Sequence, residues 1–411
     1  MAYTTIDDPS AHNQGLVHIG TDSAHKISYD GHADYIPDIF FVKDFNGSSA
    51  PEHTDSVATD GTNNGIRTSQ EHSTYGRRRE IQVITQLESD GYTVTGVGQV
   101  NGDGHEYMAL TWNCGSTATI TTFGNNITSV SASGNAPAYS YTVNTTAKQS
   151  IAFWEGTGVS GLEIPHHLGV KPTFAMIRKM GEGTYDQTNY YDAGPFSFYK
   201  DQTADGRADG VNGNDVGGGW YYAPSNTGPS SSGYFSAAPD STKHTLGTHG
   251  YLNTDNYDFV CYSFSDIQGY FKQGFYEGNG SADGPFVYTG FEPEILLINP
   301  QDDGTNPSSH GNLGYIAGSG YYGGHYWFVN GMTTNGFNPH DKTWNWGNSN
   351  RMDDYDQNAL DIYSNGFKIR APGTDSADGW QAGNQVDKTV WYAAWAKYPL
   401  VTSGGVPNTA V

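Results

Sequence analysis

The sequence predicts an all-β protein of three tandem β-sandwich modules, which are jelly-roll-like and carry long loops. A proline that leads a short apolar run recurs three times, at Pro37, Pro172 and Pro293. Glycine accounts for 54 of the 411 residues and aromatic residues for 14 %, a composition typical of strands joined by tight turns. No stretch repeats apolar residues at the spacing of a helix face. Because such repetition reflects repeated structural units, we interpret the chain as three copies of one module.

Each predicted module begins with a glycine-containing turn, followed by the proline-led run. The three turns are Leu16–Ser28, Phe153–Ile164 and Phe275–Tyr288. The run after the proline is continuously apolar, as in Ile39–Val42, and such a run indicates a strand buried on both faces. A proline at the start of a strand is tolerated, because the first residue need not donate to the ladder.

The second half of each predicted module contains a turn dipeptide and an aromatic-rich closing segment. The matched turn segments are Ser89–Val94, Thr248–Asn253 and Ser364–Ile369. The Asp-Gly and Asn-Gly pairs of the first and third segments are typical of β-hairpins. The closing segments are Tyr107–Trp112, Phe259–Phe264 and Val390–Trp395, and we expect each to pair with the proline-led strand of its module.

These matches define the predicted domain boundaries. Modules 1, 2 and 3 span residues 1–115, 147–268 and 269–400, with a tail at 401–411. Residues 116–146 are rich in Thr, Ser, Asn and Gly, and we interpret them as a linker with one or two strands.

Charge and composition exclude several classes of function. The formal net charge of −23 argues against nucleic-acid binding, which needs clustered Lys and Arg. No apolar run is long enough to predict membrane insertion, and the first residues carry no secretory signal. The two cysteines, Cys114 and Cys261, fall in different modules, so we expect reduced thiols.

Three segments resemble a known repeat family. The N-terminal MAYTTIDDPS, the stretch Tyr276–Ile298 and the turn Ile362–Ile369 are similar to virion proteins of marine and cyanobacterial bacteriophages, labelled tail-fibre proteins. The resemblance covers all three modules and is weakest in module 1. It implies a structural protein on the virion surface, made in the host cytoplasm and released by lysis. It also implies contacts with other virion proteins and transfers no catalytic residue.

Two locations on the particle stay open at this point. The family label favours a tail-fibre or tail-tip component that contributes to host attachment. The lack of a coiled-coil heptad region or a long shaft favours a capsid decoration or head-fibre protein bound to the coat lattice. A homo-oligomer is expected in either case, and a trimer by analogy with other phage appendages.

The candidate chemistry is non-enzymatic. No carboxylate pair stands in a recognisable catalytic arrangement, so we predict no enzyme activity and no cofactor other than a Ca²⁺ ion. Oxygen ligands interleaved with glycine can bind Ca²⁺. The residues in such a pattern are Asp205, Asp209, Asn212, Asn214 and Asp215.

Aromatic loops of modules 2 and 3 are the candidate contact surface. Exposed aromatic rings beside amides and carboxylates suit a host surface glycan or a protein partner. An alternative is that these rings fill cores or subunit contacts. The residues concerned are Trp220, Tyr221, Tyr222, Tyr321, Tyr322, Tyr326, Trp327, Trp344 and Trp346.

Overall fold

The computed structural model confirms the all-β prediction. It describes residues 4–29, 35–45, 52–55, 67–70, 79–81, 84–96, 98–116, 128–130, 139–182, 196–201, 219–222, 235–300, 326–331, 338–345, 352–354, 359–370, 383–387 and 389–408. Within these ranges the chain forms antiparallel sheets, with two four-residue helices and one short 3-10 helix at Pro9–Ala11.

Module 1 contains a large and a small sheet. Its elements are β1 (Asn13–Ile19), β2 (His25–Ser28), β3 (Ile39–Asp44), β4 (Glu52–Asp55), β5 (Arg67–Gln70), β6 (Arg79–Ile81), β7 (Ile84–Glu88), β8 (Gly91–Val94), α1 (Gly98–Asn101) and β9 (Glu106–Trp112). The large sheet has the order β1-β9-β3-β4-β5-β6 and the small sheet the order β2-β8-β7.

Module 2 repeats this plan. Its elements are β10 (Thr128–Val130), β11 (Tyr139–Asn144), β12 (Gln149–Glu155), β13 (Leu162–Pro165), β14 (Phe174–Glu182), β15 (Phe196–Asp201), β16 (Gly219–Tyr222), β17 (Phe235–Ala237), β18 (Lys243–Leu246), α2 (Gly250–Asn253) and β19 (Tyr257–Phe264). The large sheet is β10-β11-β12-β19-β14-β15-β16 and the small sheet β13-β18-β17. β10 and β11 come from the 116–146 segment and extend the large sheet.

Module 3 has the same two sheets. Its elements are β20 (Phe271–Glu277), β21 (Phe286–Tyr288), β22 (Phe291–Pro300), β23 (Tyr326–Val329), β24 (Lys342–Asn345), β25 (Met352–Asp354), β26 (Leu360–Tyr363), β27 (Gly366–Ile369) and β28 (Thr389–Pro399). The large sheet is β20-β28-β22-β23-β24-β25 and the small sheet β21-β27-β26. As predicted, the proline-led strand pairs with the closing strand in every module: β3 with β9, β14 with β19 and β22 with β28.

The two sheets of a module enclose its core, which makes each module a sandwich. In module 1, Ile27 and Tyr92 of the small sheet pack with Phe40 and Tyr107 of the large sheet. Alternate side chains of a strand point to opposite faces, so the other face of β3 needs its own cover. Module 2 provides that cover through Tyr262, whose ring lies 6.4 Å from the ring of Phe41. This second packing surface explains why every residue of β3 is buried.

The chain divides into two compact units. Asp266–Val411 groups with Met1–Gly15, while Leu16–Ala223 groups with Pro229–Ser265. The first unit therefore contains module 3 and the N-terminal segment that the sequence analysis assigned to module 1. That segment is bonded to module 3: Asn13 Nδ2 donates to the Ala396 carbonyl at 3.3 Å, and the Ser403 N–H donates to Asp7 at 2.6 Å.

A buried asparagine holds the opening turn in each module, an arrangement that we call the asparagine clamp. Its members are Asn101, Asn253 and Asn384, which are all fully buried. The side-chain oxygen accepts a hydrogen bond from the backbone N–H of Thr21 at 2.9 Å, of Thr157 at 2.8 Å and of Asn279 at 3.0 Å, in that order. The side-chain nitrogen donates to the carbonyl two residues further on, at Ser23, Val159 and Ser281.

The glycines of the turn are required by this clamp. Gly20, Gly156 and Gly278 each approach the backbone so closely that an added Cβ would lie 2.0, 2.2 and 2.2 Å from a carbonyl oxygen. Two residues later, the backbone takes a left-handed φ of 56° at Asp22, 68° at Gly158 and 69° at Gly280. Asp22 tolerates this conformation, which explains why module 1 lacks the second glycine of the turn.

One of the predicted turn matches is wrong. Ser89-Asp90 and Ser364-Asn365 do form two-residue hairpin turns, which connect β7 to β8 and β26 to β27. The matched segment of module 2 instead forms α2, the counterpart of α1, because it supplies the clamp residue Asn253. The hairpin of module 2 is the longer connection between β17 and β18.

Two neighbouring glycines of module 2 should respond differently to the same substitution. Gly156→Ala would bring a Cβ 2.2 Å from the Thr254 carbonyl, so we expect a loss of about 2 kcal/mol in unfolding free energy. Gly158→Ala has room for the Cβ and adds only the left-handed strain, about 1 kcal/mol. Urea unfolding of both variants measures the difference, and equal losses would contradict the close approach at Gly156.

Candidate functional site

The outer face of the small sheet in module 3 presents two rows of side chains. Pairing aligns Phe286 with Lys368 and Asp361 in one row. It aligns Tyr288 with Gly366 and Tyr363 in the next row. The residues between them, such as Val287 and Phe367, point inward and are buried. Alternation along the strands therefore places three aromatic side chains on one side of the sheet.

This surface is exposed and shaped by a glycine. Phe286 and Tyr288 retain 47 % and 53 % of their accessible surface. The Phe286 ring meets the Tyr363 ring edge-on, with 5.9 Å between centroids. An added Cβ at Gly366 would lie 2.0 Å from the Val287 carbonyl oxygen and 3.1 Å from the tip of the Phe286 ring. The glycine thus lets the Phe286 ring lie across the sheet, and we call Phe286, Tyr288 and Tyr363 the aromatic face.

The charges around the aromatic face are paired within the module. Lys368 Nζ lies 2.5 Å from Asp283 Oδ1. Arg370 Nε lies 2.6 Å from Asp361 Oδ2, which also accepts a hydrogen bond of 2.8 Å from the Tyr363 hydroxyl. These pairs fix the rim of the face and leave little net charge on it.

A cleft of about 300 Å³ lies beside the aromatic face. Tyr288 belongs to both, because it also lines the cleft together with Lys272, Asp266 and Gln268. Lys272 Nζ donates to the Tyr288 carbonyl at 2.8 Å and lies 5.6 Å from the centroid of its ring. Burial lowers the pKa of Lys272, and the nearby Asp266 partly offsets this effect. The cleft therefore offers an ammonium, a carboxylate and an amide next to an exposed ring.

The corresponding faces of modules 1 and 2 carry no aromatic residue among the described positions. In module 1 the outward row contains Lys26 and Thr93. In module 2 it contains Glu163, Thr245 and Ala237. The three modules share a scaffold, so a surface present in one of them points to a role specific to that module.

Several residues predicted as sites lie outside the described part of the chain. These are the calcium candidates Asp205, Asp209, Asn212, Asn214 and Asp215, and the aromatic residues Tyr321, Tyr322 and Trp346. The backbone of Trp220, Tyr221 and Tyr222 forms β16, which pairs with β15. The backbone of Tyr326 and Trp344 lies in the paired strands β23 and β24.

Trp327 is a core residue and not a surface contact, which corrects its predicted role. Its side chain is fully buried, and its ring stacks on the ring of Trp395 with 6.0 Å between centroids. β23 is an inner strand of the large sheet, and Trp327 opposes Leu297 of β22. Its position between apolar neighbours accounts for this burial.

The aromatic face was missed in the sequence although a signal was present. Phe286 and Tyr288 alternate with Val287 in a three-residue strand, the pattern of a sheet with one exposed face. The strand lies at the end of the segment Phe275–Tyr288, which was predicted only as the opening turn of module 3. Tyr363 comes from a different hairpin, so its proximity follows only from strand pairing.

A buried polar cluster in module 2 resembles a nucleophile beside a base. His244 Nε2 lies 2.9 Å from Ser263 Oγ and 3.8 Å from Cys261 Sγ. All three residues are buried, and burial lowers the pKa of His244 and raises the pKa of Cys261 to about 12. A protonated, inaccessible thiol is not a nucleophile, so the cluster serves packing.

Both cysteines should therefore be unreactive in the folded protein. Cys114 and Cys261 are free and buried. We expect a disulfide reagent such as DTNB to release no colour from the native protein and two equivalents per chain in guanidinium chloride. Rapid reaction of one thiol without denaturant would contradict the core position of that cysteine.

Two further structural features bear on function. Within the described ranges, no three His, Cys, Asp or Glu side chains are grouped to hold a metal ion. In the same part of the chain, no helix has the length and apolar composition to cross a bilayer.

Comparison with known proteins gives one match. No curated protein and no solved structure matches the chain. A family model matches residues 8–192 and 222–308, which include most of modules 1 and 2 and the strands β20–β22 of module 3. Since this match covers more than half of the sequence, the chain belongs to the family described as Domain of unknown function (DUF7483).

Proposed function

We propose that the chain is a structural protein of a bacteriophage virion, exposed on the particle as a tail-fibre or tail-tip component that contributes to host attachment. The aromatic face carries the contact role, because exposed aromatic residues beside paired charges are typical of binding surfaces. The virion assignment is supported by the resemblance of Tyr276–Ile298 and Ile362–Ile369 to phage virion proteins. The proposed partners are other virion proteins and further copies of the chain, with a trimer by analogy.

The proposed role is non-enzymatic, with no resident cofactor beyond the calcium candidate. The His244 cluster supports this, because its imidazole, hydroxyl and thiol groups are all buried. Purified protein incubated with host envelope glycans should release no reducing ends, and steady release would contradict the proposal. For calcium, we expect EGTA to lower the thermal midpoint, whereas an unchanged midpoint would argue against a structural ion.

A second candidate is a capsid decoration or head-fibre protein, favoured by the absence of coiled-coil heptads from the sequence. Gold-labelled antibody on intact virions separates the two. Label at the tail is expected for the attachment role, and label over the head would replace it with the decoration role. No label on intact particles would contradict both.

A further inference from the structure

The aromatic face and the adjacent cleft form one continuous surface on module 3. Tyr288 connects them, since its ring is exposed on the sheet and its residue lines the cleft. Lys272, Asp266 and Gln268 supply hydrogen-bonding groups at the edge of that ring. A ligand bound there would meet flat apolar surface on one side and polar groups along its rim.

The size of the surface favours a small ligand. Three strands spaced about 4.8 Å apart set the width of the face, and four residues at about 3.3 Å per residue set its length. Together they give an area of roughly 150 Å². A stable protein interface usually needs about 800 Å² on each partner. The face alone is therefore too small for a second copy of the chain or a folded partner, whereas it fits one or two sugar rings.

The charges favour a neutral ligand. Lys368 is paired with Asp283 and Arg370 with Asp361, at 2.5 and 2.6 Å. In the cleft, Lys272 lies near Asp266. Each described cation of this surface has a neighbouring carboxylate, so an anionic ligand would gain little and would meet the exposed carboxylates of Asp283 and Asp266.

Lys272 retains donor capacity for such a ligand. An ammonium has three N–H donors, and Lys272 uses one on the Tyr288 carbonyl at 2.8 Å. The remaining donors lie beside an exposed aromatic ring. A saccharide has an apolar C–H face for the ring and hydroxyl groups for the ammonium, the carboxylate and the amide.

We infer that the aromatic face and the Lys272 cleft bind a neutral saccharide, whose ring stacks on Tyr288 and Phe286 while its hydroxyl groups bond to Lys272, Asp266 and Gln268. This inference deepens the proposed attachment role and rests on it. Stacking supplies the affinity and the cleft selects the arrangement of hydroxyl groups.

The test is binding of four neutral oligosaccharides and one polyanion to the full-length protein. Maltohexaose, cellohexaose, chitohexaose and mannohexaose are compared with a heparin octasaccharide by isothermal titration or saturation-transfer NMR. We expect at least one neutral oligosaccharide to bind. The Phe286→Ala/Tyr288→Ala double variant should weaken that binding about tenfold, which corresponds to about 1.4 kcal/mol for the two lost aromatic contacts together.

Two further variants control for folding and position. Tyr398→Ala removes an aromatic residue that is 51 % exposed but lies outside the face and the cleft, and it should leave binding unchanged. Lys272→Gln replaces the ammonium with a shorter, neutral amide and should weaken binding even if the double variant unfolds early. Unfolding midpoints by urea confirm that each variant is folded.

Several outcomes would overturn the inference. These are binding of none of the four neutral oligosaccharides, binding that the face and cleft variants do not change, or binding of heparin alone. A dimer in sedimentation velocity that the double variant dissociates would assign the face to a second copy and also overturn it. Because sugar binding is measured on purified protein and virion location on particles, the inference and the proposed function can fail separately.

Discussion

Replacing Asn253 by alanine should lower the unfolding free energy of module 2 by about 4 kcal/mol, and Asn384→Ala should lower that of module 3 by about 3 kcal/mol. The Asn253 side chain accepts from the Thr157 N–H and donates to the carbonyls of Val159 and Gly247, each at 2.8 Å. Alanine would leave the buried Gly247 carbonyl and the part-buried Thr157 N–H and Val159 carbonyl without that partner, which removes a large part of the stability of a typical domain.

The chain contains a matched control for the asparagine clamp. The backbone N–H of Asn279 is the group that donates to Asn384. The side chain of Asn279 is exposed, accepts a hydrogen bond from the Ser281 N–H and donates to the Asp283 carbonyl. Water can replace those bonds, so Asn279→Ala should cost less than about 1 kcal/mol. Urea unfolding compares the two variants. If Asn384→Ala were no more destabilising than Asn279→Ala, the clamp would not hold the module together.

Replacing Glu294 by glutamine should stabilise the protein above pH 7 and have little effect at pH 4.5. Glu294 lies at a bulge of β22, and its side chain is only 14 % exposed. Burial raises its pKa from 4.5 to about 7, although Lys397, at 4.0 Å, and a hydrogen bond from the Gly15 N–H act in the opposite direction.

The sign of the pH dependence follows from the raised pKa. Between pH 4.5 and 7 the folded protein holds a proton on Glu294 that the unfolded chain has lost, so its stability falls as the pH rises. The loss reaches about 3 kcal/mol above pH 7. Glutamine stays neutral at every pH and avoids this loss.

Unfolding by urea from pH 5 to 8 measures the effect. The difference between Glu294→Gln and the natural sequence should grow with pH, and this comparison cancels the opposite contribution of His340, whose pKa burial lowers to about 4. A difference in unfolding free energy that stays constant from pH 5 to 8 would contradict a buried Glu294 carboxyl group with a raised pKa.

Much of the scaffold could be predicted from the sequence. The proline-led strands and their closing partners were identified because a continuous apolar run, such as Ile39–Val42, indicates a strand that is buried on both faces. The hairpins at Asp90 and Asn365 were identified because Asp-Gly and Asn-Gly pairs are typical of tight turns, and Asp90 adopts a left-handed φ of 79°. The opening turns held by the asparagine clamp were matched between the modules because they contain the glycines that these turns require.

The clamp and the aromatic face could not be predicted in this way. An isolated asparagine has no periodic pattern, and Asn101, Asn253 and Asn384 are recognised only by their shared hydrogen bonds to a turn 80 to 105 residues earlier in the chain. The aromatic face joins β21 to β26 through β27, so it depends on strand order and register. Trp327 was predicted as a surface contact but is buried, because an aromatic-rich segment alone does not distinguish a buried ring from an exposed one.

We propose that the three modules share one scaffold and that, among the residues that the structure describes, the exposed aromatic face of module 3 is the contact surface of a virion protein. A cryo-EM map of the phage particle whose genome encodes the chain tests this most directly. We expect the protein on a tail appendage, with the face formed by Phe286, Tyr288 and Tyr363 turned towards solvent. A particle without the protein, or one in which this face is buried against the coat lattice, would contradict the account.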